Sequence, residues 1–136
     1  MKEALLDTDI LSYFLKGDKP VEDKVKTYLS LYGKLTISTI TYYEVLSGLE
    51  YKEAYKQIEK FEQFTQKCTI LNLPFTSLKL SASIFGKLRR NGITSGTADL
   101  LIVGIALEHH LQLTTNNEKH YEYIEGLEID NWKKEL

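Results

Sequence analysis

The chain has one cysteine, Cys68, in 136 residues. An internal disulfide is therefore excluded, and with it the small cross-linked scaffolds typical of secreted domains. Without a neighbouring histidine that thiol also lacks a catalytic partner. The only prolines, Pro20 and Pro74, fall between periodic segments, and no proline-, glycine- or serine-rich linker divides the chain. The longest strongly apolar stretch, Leu100 to Leu107, is far shorter than the roughly 20 residues that cross a bilayer. The first residues lack the basic segment and apolar core of a secretory leader. A cytoplasmic protein without membrane contact is expected. Positive charge is not in excess either: 17 basic against 19 acidic residues leave a formal net charge of −2. No overall field draws in a polyanion, so any RNA-binding surface must be local.

What is present is enough apolar residue for one core, 43% of the chain, at a length that suits one domain spanning residues 1–136. Ala4-Leu5-Leu6, Leu35-Thr36-Ile37, Thr69-Ile70-Leu71 and Leu111-Gln112-Leu113 are short apolar runs of the kind buried parallel strands require. Helical spacing fills the intervals. It appears in Val21, Val25, Tyr28, Leu29 and Tyr32 before Gly33, in Tyr42, Val45, Leu46 and Leu49, in Ala54, Ile58 and Phe61, and in Leu78, Ala82, Phe85 and Leu88 before Asn91-Gly92. The alternation predicts an α/β fold with a mainly parallel sheet. Residues 98–110 leave almost no polar face, which marks a buried helix, yet Asp99 stands in its first turn.

Asp7 ends the first strand, Glu44 opens the helix after the second, and Asn117 follows the last. All three positions fall beyond strand carboxyl ends, the edge where open α/β sheets bind ligands. Glu44 also lies off the apolar stripe of its helix and is free to face a cleft. Together with Asp99 these groups can converge. Two carboxylates about 4 Å apart repel by about 4 kcal/mol at an effective dielectric near 20, so a gathered set calls for a cation. Oxygen donors without cysteine or histidine favour Mg²⁺ or Mn²⁺. Such an ion lowers the pKa of a bound water and stabilises charge on a phosphodiester.

Each acid also has a local structural role open to it. Thr41-x-x-Glu44 has capping-box spacing, Thr97 is a suitable N-cap with Asp99 complementing the helix dipole, and Asp7-Thr8-Asp9 suits a strand-to-helix cap. Independent caps do not explain why all of them fall where one sheet edge can collect them.

Leu-Leu-Asp7-Thr-Asp-Ile-Leu, Ser-Thr-Ile-Thr-Tyr-Tyr-Glu44-Val-Leu-Ser-Gly, Thr-Ala-Asp99-Leu-Leu-Ile-Val-Gly-Ile-Ala and Leu-Thr-Thr-Asn-Asn117 resemble, in order and spacing, the four motifs of PIN-domain nucleases. The closing Gly-Leu-Glu-Ile-Asp-Asn-Trp132 resembles the VapC branch of that family. The resemblance implies an α/β/α sandwich around a central parallel sheet, with Mg²⁺ or Mn²⁺ held at Asp7, Asp99 and Glu44. It implies a toxin endoribonuclease that hydrolyses RNA, tRNA included, by metal-activated water. It also implies a VapB-like antitoxin and assembly as a homodimer or a toxin–antitoxin hetero-oligomer. Many PIN domains carry aspartate at the position of Asn117, which here completes the catalytic set as a neutral residue. Asp9 stands where asparagine is frequent and receives a supporting role. The alternative from another class is a non-catalytic PIN-like module that binds protein or RNA, motivated by Asn117 and the slightly acidic balance.

Lys87, Arg89 and Arg90 close the helix before the Asp99 motif and are candidates for RNA backbone contact, although cations also complement a helix C-terminus. His109, His110 and His120 lack metal-ligand spacing and read as structural, with His120 near Asn117. Tyr28, Tyr32, Tyr42, Tyr43, Tyr51 and Tyr55 exceed what one small core needs to bury and suit a subunit interface as well as ordinary core or surface positions.

Overall fold

The computed structural model describes residues 1–134. Five short strands, β1 (Ala4–Leu6), β2 (Thr36–Ser38), β3 (Thr69–Leu71), β4 (Gln112–Thr114) and β5 (Ile129–Asp130), form one sheet in the order β3-β2-β1-β4-β5. Every pairing is parallel. The helices are α1 (Thr8–Leu15), α2 (Lys19–Tyr32), α3 (Thr39–Tyr51), α4 (Tyr55–Thr65), α5 (Phe75–Arg90), α6 (Thr97–Glu108) and the short α7 (Glu118–Tyr121).

Strand order dictates where the helices go. The chain moves outward from β1 to β2 to β3, then returns across the sheet to β4 on the far side of β1, so right-handed crossovers place the two sets of helices on opposite faces. On one face, Ala4, Leu6 and Ile37 pack with Ile10 and Leu11 of α1, Val21, Val25 and Tyr28 of α2, and Trp132. On the other, Leu5 and Leu113 pack with Leu100, Ile102, Val103, Ile105 and Ala106 of α6. The result is the expected α/β/α sandwich. Its strand order reverses between β1 and β4, which opens a crevice at their carboxyl ends.

The helices follow local signals closely. Asp18 caps α2 by accepting from the Val21 N–H at 3.3 Å, Pro20 sits in its first turn, and Val21, Val25 and Tyr28 form the buried stripe that the spacing predicts. At the end of α5 Gly92 adopts φ +74°, whereas Asn91 stays at φ −97°; only the residue without a Cβ takes the left-handed turn. Three details depart from the sequence reading. Thr8–Leu15 forms a helix that was not assigned, because eight residues carry too little periodicity. The two-residue strand β5 was not assigned either; it is held by Leu113 N–H donating to Glu128 O and Thr115 N–H to Asp130 O. Strands β2 and β4 also begin one residue later than the apolar runs that marked them.

Helix α6 is buried nearly all round, as expected, and it lies against α5 more closely than side chains normally permit. A Cβ on Gly104 would stand 2.1 Å from Ser81 Oγ and 2.5 Å from the Ser77 carbonyl. Ser81 uses the approach to donate to Leu100 O at 2.7 Å. No helix among the described residues is long and apolar enough to cross a membrane.

Gly104→Ala is expected to destabilise the protein by roughly 1–3 kcal/mol, the usual cost of overpacking where backbone must move. Urea unfolding measures this, and an unchanged midpoint would refute the close α5–α6 contact.

Candidate active site

Asp7 leaves β1 and is the N-cap of α1, so one carboxylate is fixed by the strand behind it and the helix ahead of it. The β1–β4 ladder continues to this point, with the Asp7 N–H donating to Thr114 O at 3.0 Å. Its Oδ1 accepts from the Thr8 N–H at 2.9 Å, and its Oδ2 accepts from Thr115 Oγ1 at 2.9 Å and from the Tyr121 hydroxyl at 3.0 Å. The residue is only 4% exposed. Burial outweighs the three donors and, aided by the charge of Asp9, pushes the carboxyl up to about 6. Among the described residues no basic side chain forms an ion pair with it.

Tyr121, fully buried, joins the acids. Burial raises its phenol well above the usual range, followed by the negative charges of Asp7 and Asp99; the hydroxyl donates to Asp7, and the residue lines one small cleft with Asp99. The hydroxyl therefore stays protonated and donates. Asp7 and Asp99 meet at one tyrosine, on the same side of the molecule. Asp9, half-buried in the first turn of α1, accepts from the Ile10 N–H at 2.8 Å and the Asn116 N–H at 2.9 Å. Its carboxyl is raised by burial and by Asp99.

Asp99 is the third residue of α6, whose N-cap is Gly96 without any side-chain cap. Thr97 is thus the first helical residue and does not cap the helix. The Asp99 carboxylate, 35% exposed, faces a small cleft of about 70 Å³ together with Thr94, Ser95, Gly96, His120 and Tyr121. Pockets that hold drug-sized ligands run to about 300 Å³ or more. This cleft suits an ion, a water or one phosphate-sized group, not a whole nucleotide.

Glu44 stands one turn further from the helix start than the capping-box spacing required. Ser38 is the N-cap of α3, and its Oγ accepts from the Thr41 N–H at 3.1 Å. Freed from that role, Glu44 accepts from Thr8 Oγ1 at 2.6 Å and lines a groove of about 530 Å³ with Val45, Leu49, Phe61 and Phe64. It touches the Asp7 group only through Thr8. Asn117 is exposed at the start of α7, with its N–H donating to Thr115 Oγ1 at 3.0 Å. Asp7 and Asp99 therefore both adjoin Tyr121, Glu44 is attached at one side through Thr8, and Asn117 borders the group through Thr115.

Residues the sequence reading passed over carry much of this geometry: Thr8, Thr115 and Tyr121 donate to the acids, yet nothing in their spacing marks them. His120, read as structural, has Nδ1 at 3.8 Å from Asp99 Oδ2, an ion pair only when the imidazole is protonated. His109 and His110 lie at the other end of α6, about 15 Å from Asp99 by helical rise. Burial raises the Cys68 thiol to about 11, which leaves it unreactive. Lys87, Arg89 and Arg90 are exposed in the last turn of α5, just before the 91–96 loop that leads to Asp99, and Arg89 lies over the Phe85 ring at 5.5 Å.

Among the described residues no three carboxylate, imidazole or thiol groups stand close enough to enclose an ion by themselves. The donor set still fits a hard ion, because Mg²⁺ typically takes one or two carboxylates and keeps several waters. A buried carboxylate with no cation of the protein's own beside it is the kind of group such an ion stabilises.

A family model described as PIN domain matches residues 4–125. VapC1 of Rickettsia felis is 32% identical over 92% of this chain and 92% of its own length. The chain belongs to the PIN-domain family, in its VapC branch. The tRNA(fMet)-specific endonuclease VapC of Shigella flexneri is 28% identical to this PIN domain over 97% of the chain and 99% of that protein. The structure of DNA-bound VapBC from Salmonella typhimurium contains a chain that superposes with a TM-score of 0.87 at 26% identity, covering 97% of this PIN domain and 99% of that chain. The family resemblance and the sandwich fold are both borne out.

Folded Asp7 takes up its proton near pH 6, and the ordinary value is 3.8. Between those values the folded state holds the proton and the unfolded state does not, so stability is lost as pH rises through that window. A gap of that size corresponds to roughly 3 kcal/mol. In metal-free buffer, the stability of Asp7→Asn relative to wild type should rise by about that amount from pH 4 to pH 7. A pH-independent difference in denaturant unfolding would contradict the burial argument.

Proposed function

We propose that the acidic cleft of this VapC-type toxin ribonuclease works with Mg²⁺ or Mn²⁺, held principally by Asp7 and Asp99, and that it cuts structured RNA such as tRNA. The observation that carries this reading is the place of Tyr121, whose hydroxyl donates to Asp7 and which lines one small cleft with Asp99. When bound, the ion supplies a nucleophilic water at neutral pH and stabilises charge on the scissile phosphate.

The protein's own part is positioning. Thr8, Thr115 and Tyr121 lock the Asp7 carboxylate in one orientation. Glu44, fixed by Thr8, stands at the head of the neighbouring groove and serves as a proton acceptor for an ordered water. Asn117 is its neutral, exposed member. Lys87, Arg89 and Arg90 stand on the approach to Asp99 and suit the RNA backbone, which compensates locally for the lack of an overall positive field. The unit of action is one domain, residues 1–136, in the cytoplasm.

A VapB-like antitoxin is the second part of the proposal. The solved relative from Salmonella typhimurium is a VapBC complex. In this chain the apolar groove lined by Val45, Leu49, Phe61 and Phe64 begins at Thr8 and Glu44, so a partner segment lying in it reaches the acids. Tyr43, Tyr51 and Tyr55 are 69%, 90% and 64% exposed, which leaves them available to a homodimer or a toxin–antitoxin hetero-oligomer; Tyr28 is buried in the core.

Asp7→Asn and Asp99→Asn are each expected to lower RNA cleavage by at least a hundredfold with folding intact, of the order that removal of key electrostatic groups costs. EDTA should abolish wild-type cleavage, and Mg²⁺ or Mn²⁺ should restore it. Cleavage that survives either substitution would remove that acid from the mechanism. For the partner, the product of the adjacent reading frame should co-purify with wild type and be released by Leu49→Glu; equal retention of both would exclude this groove.

A further inference from the structure

We propose that the outward face of α5 is the track along which the RNA backbone lies outside the cleft, with Phe75 at its far end as a ring for one unpaired base. The inference rests on the ribonuclease reading above and assigns the surface that holds its substrate. Between Glu62 and Asp99 the chain has no acidic residue and five basic ones, Lys67, Lys79, Lys87, Arg89 and Arg90. The rest of the chain holds 12 basic against 19 acidic residues. The local positive surface that a chain of net charge −2 needs for a polyanion is therefore concentrated in one segment, and α5 carries four of its five cations.

Helical geometry turns that composition into a line. Buried Ser77, Ser81 and Leu88 fix the side of α5 that meets α6 and the core. On the opposite side Phe75, Lys79, Gly86 and Arg90 fall within about 60° of one another around the helix axis. Phe75 is 82% exposed, and Lys79 and Arg90 are exposed as well. Arg90 folds back over Gly86, where a Cβ would stand 3.2 Å from its Nη1, so the missing side chain lets the guanidinium lie along the helix surface. Arg89 lies beside this line, over the Phe85 ring. Lys2, Lys19, Lys133 and Lys134 are each paired with a carboxylate, whereas among the described residues none of the four α5 cations forms an ion pair. From Phe75 to Arg90 the helix rises about 22 Å, which gives room for several phosphates. Its Arg90 end leads into the loop whose Thr94, Ser95 and Gly96 line the cleft with Asp99. Charge selects the occupant: a second copy meeting this face about a two-fold axis would set cations against cations, while RNA brings the opposite sign.

Binding of fluorescein-labelled bulk tRNA to the full chain, read by anisotropy in EDTA from about 50 to 200 mM KCl, tests the assignment. Lys79→Gln/Arg90→Gln is expected to bind roughly tenfold more weakly at the higher salt. It should also flatten the slope of log affinity against log salt by about 1.5, the share of two phosphate contacts. Lys26→Gln/Lys56→Gln removes the same charge from exposed positions on α2 and α4 and should stay near wild type in both. Phe75→Ala should weaken binding about fivefold or more with the slope unchanged, and Phe75→Trp should retain wild-type affinity, as base stacking requires. Equal losses in the two double variants, or none in the α5 pair, overturn the assignment while wild type still binds and cuts RNA. A changed apparent mass of Phe75→Ala in size exclusion would make this face a protein interface and overturn it too. Wild type that neither binds nor cuts RNA overturns the ribonuclease reading itself.

Discussion

The Asp7 carboxylate is the constraint around which the rest of the structure is arranged. It is buried at the point where the strand order of the parallel sheet reverses, and three donors from α1, the β4 end and α7 converge on it. Those donors do not offset burial: the carboxyl stays raised, and the folded protein carries an unfavourable charge at neutral pH. A protein keeps such a group only where something that binds the folded state repays it, and a divalent cation has the matching charge. On the metal-dependent function proposed above, stability and function are therefore opposed at this one residue.

Helix α6 supplies the second half of the site by a different route. It is apolar nearly all round, so the core decides its position, and Gly104 lets it approach the α5 serines to backbone contact distance. That close approach brings its first turn, and Asp99, to the mouth of the crevice. The cleft there is small because α7 follows β4 at once and inserts Tyr121 between the two aspartates. One buried tyrosine thereby stands between two acids 92 residues apart in the chain.

Glu44 shows how a local motif can mislead. Thr41-x-x-Glu44 has the spacing of a reciprocal cap, yet α3 begins three residues earlier because Ser38, at the end of β2, caps it. Capping depends on where the strand releases the chain, and the motif itself does not carry that information. The consequence is that Glu44 points toward α1 and engages Thr8 rather than the backbone. Its place at the junction of the acidic group and the apolar groove joins the catalytic reading to the partner reading.

Sequence alone was enough for the parallel α/β class, four of the five strands and the principal helices, because burial imposes periodicity on long elements, and it singled out Asp99 as a candidate because a charge interrupting an apolar run is conspicuous. Short elements were not legible: α1 and β5 are stabilised by hydrogen bonds to distant residues rather than by a repeating pattern of their own. Only the tertiary structure decided which acids share a field. Asp9, Asp99 and Tyr121 lie far apart in the chain, and whether their charges interact depends on crossover handedness and on the packing of α6 against α5. Electrostatic coupling follows distance in space, which a one-dimensional spacing does not contain.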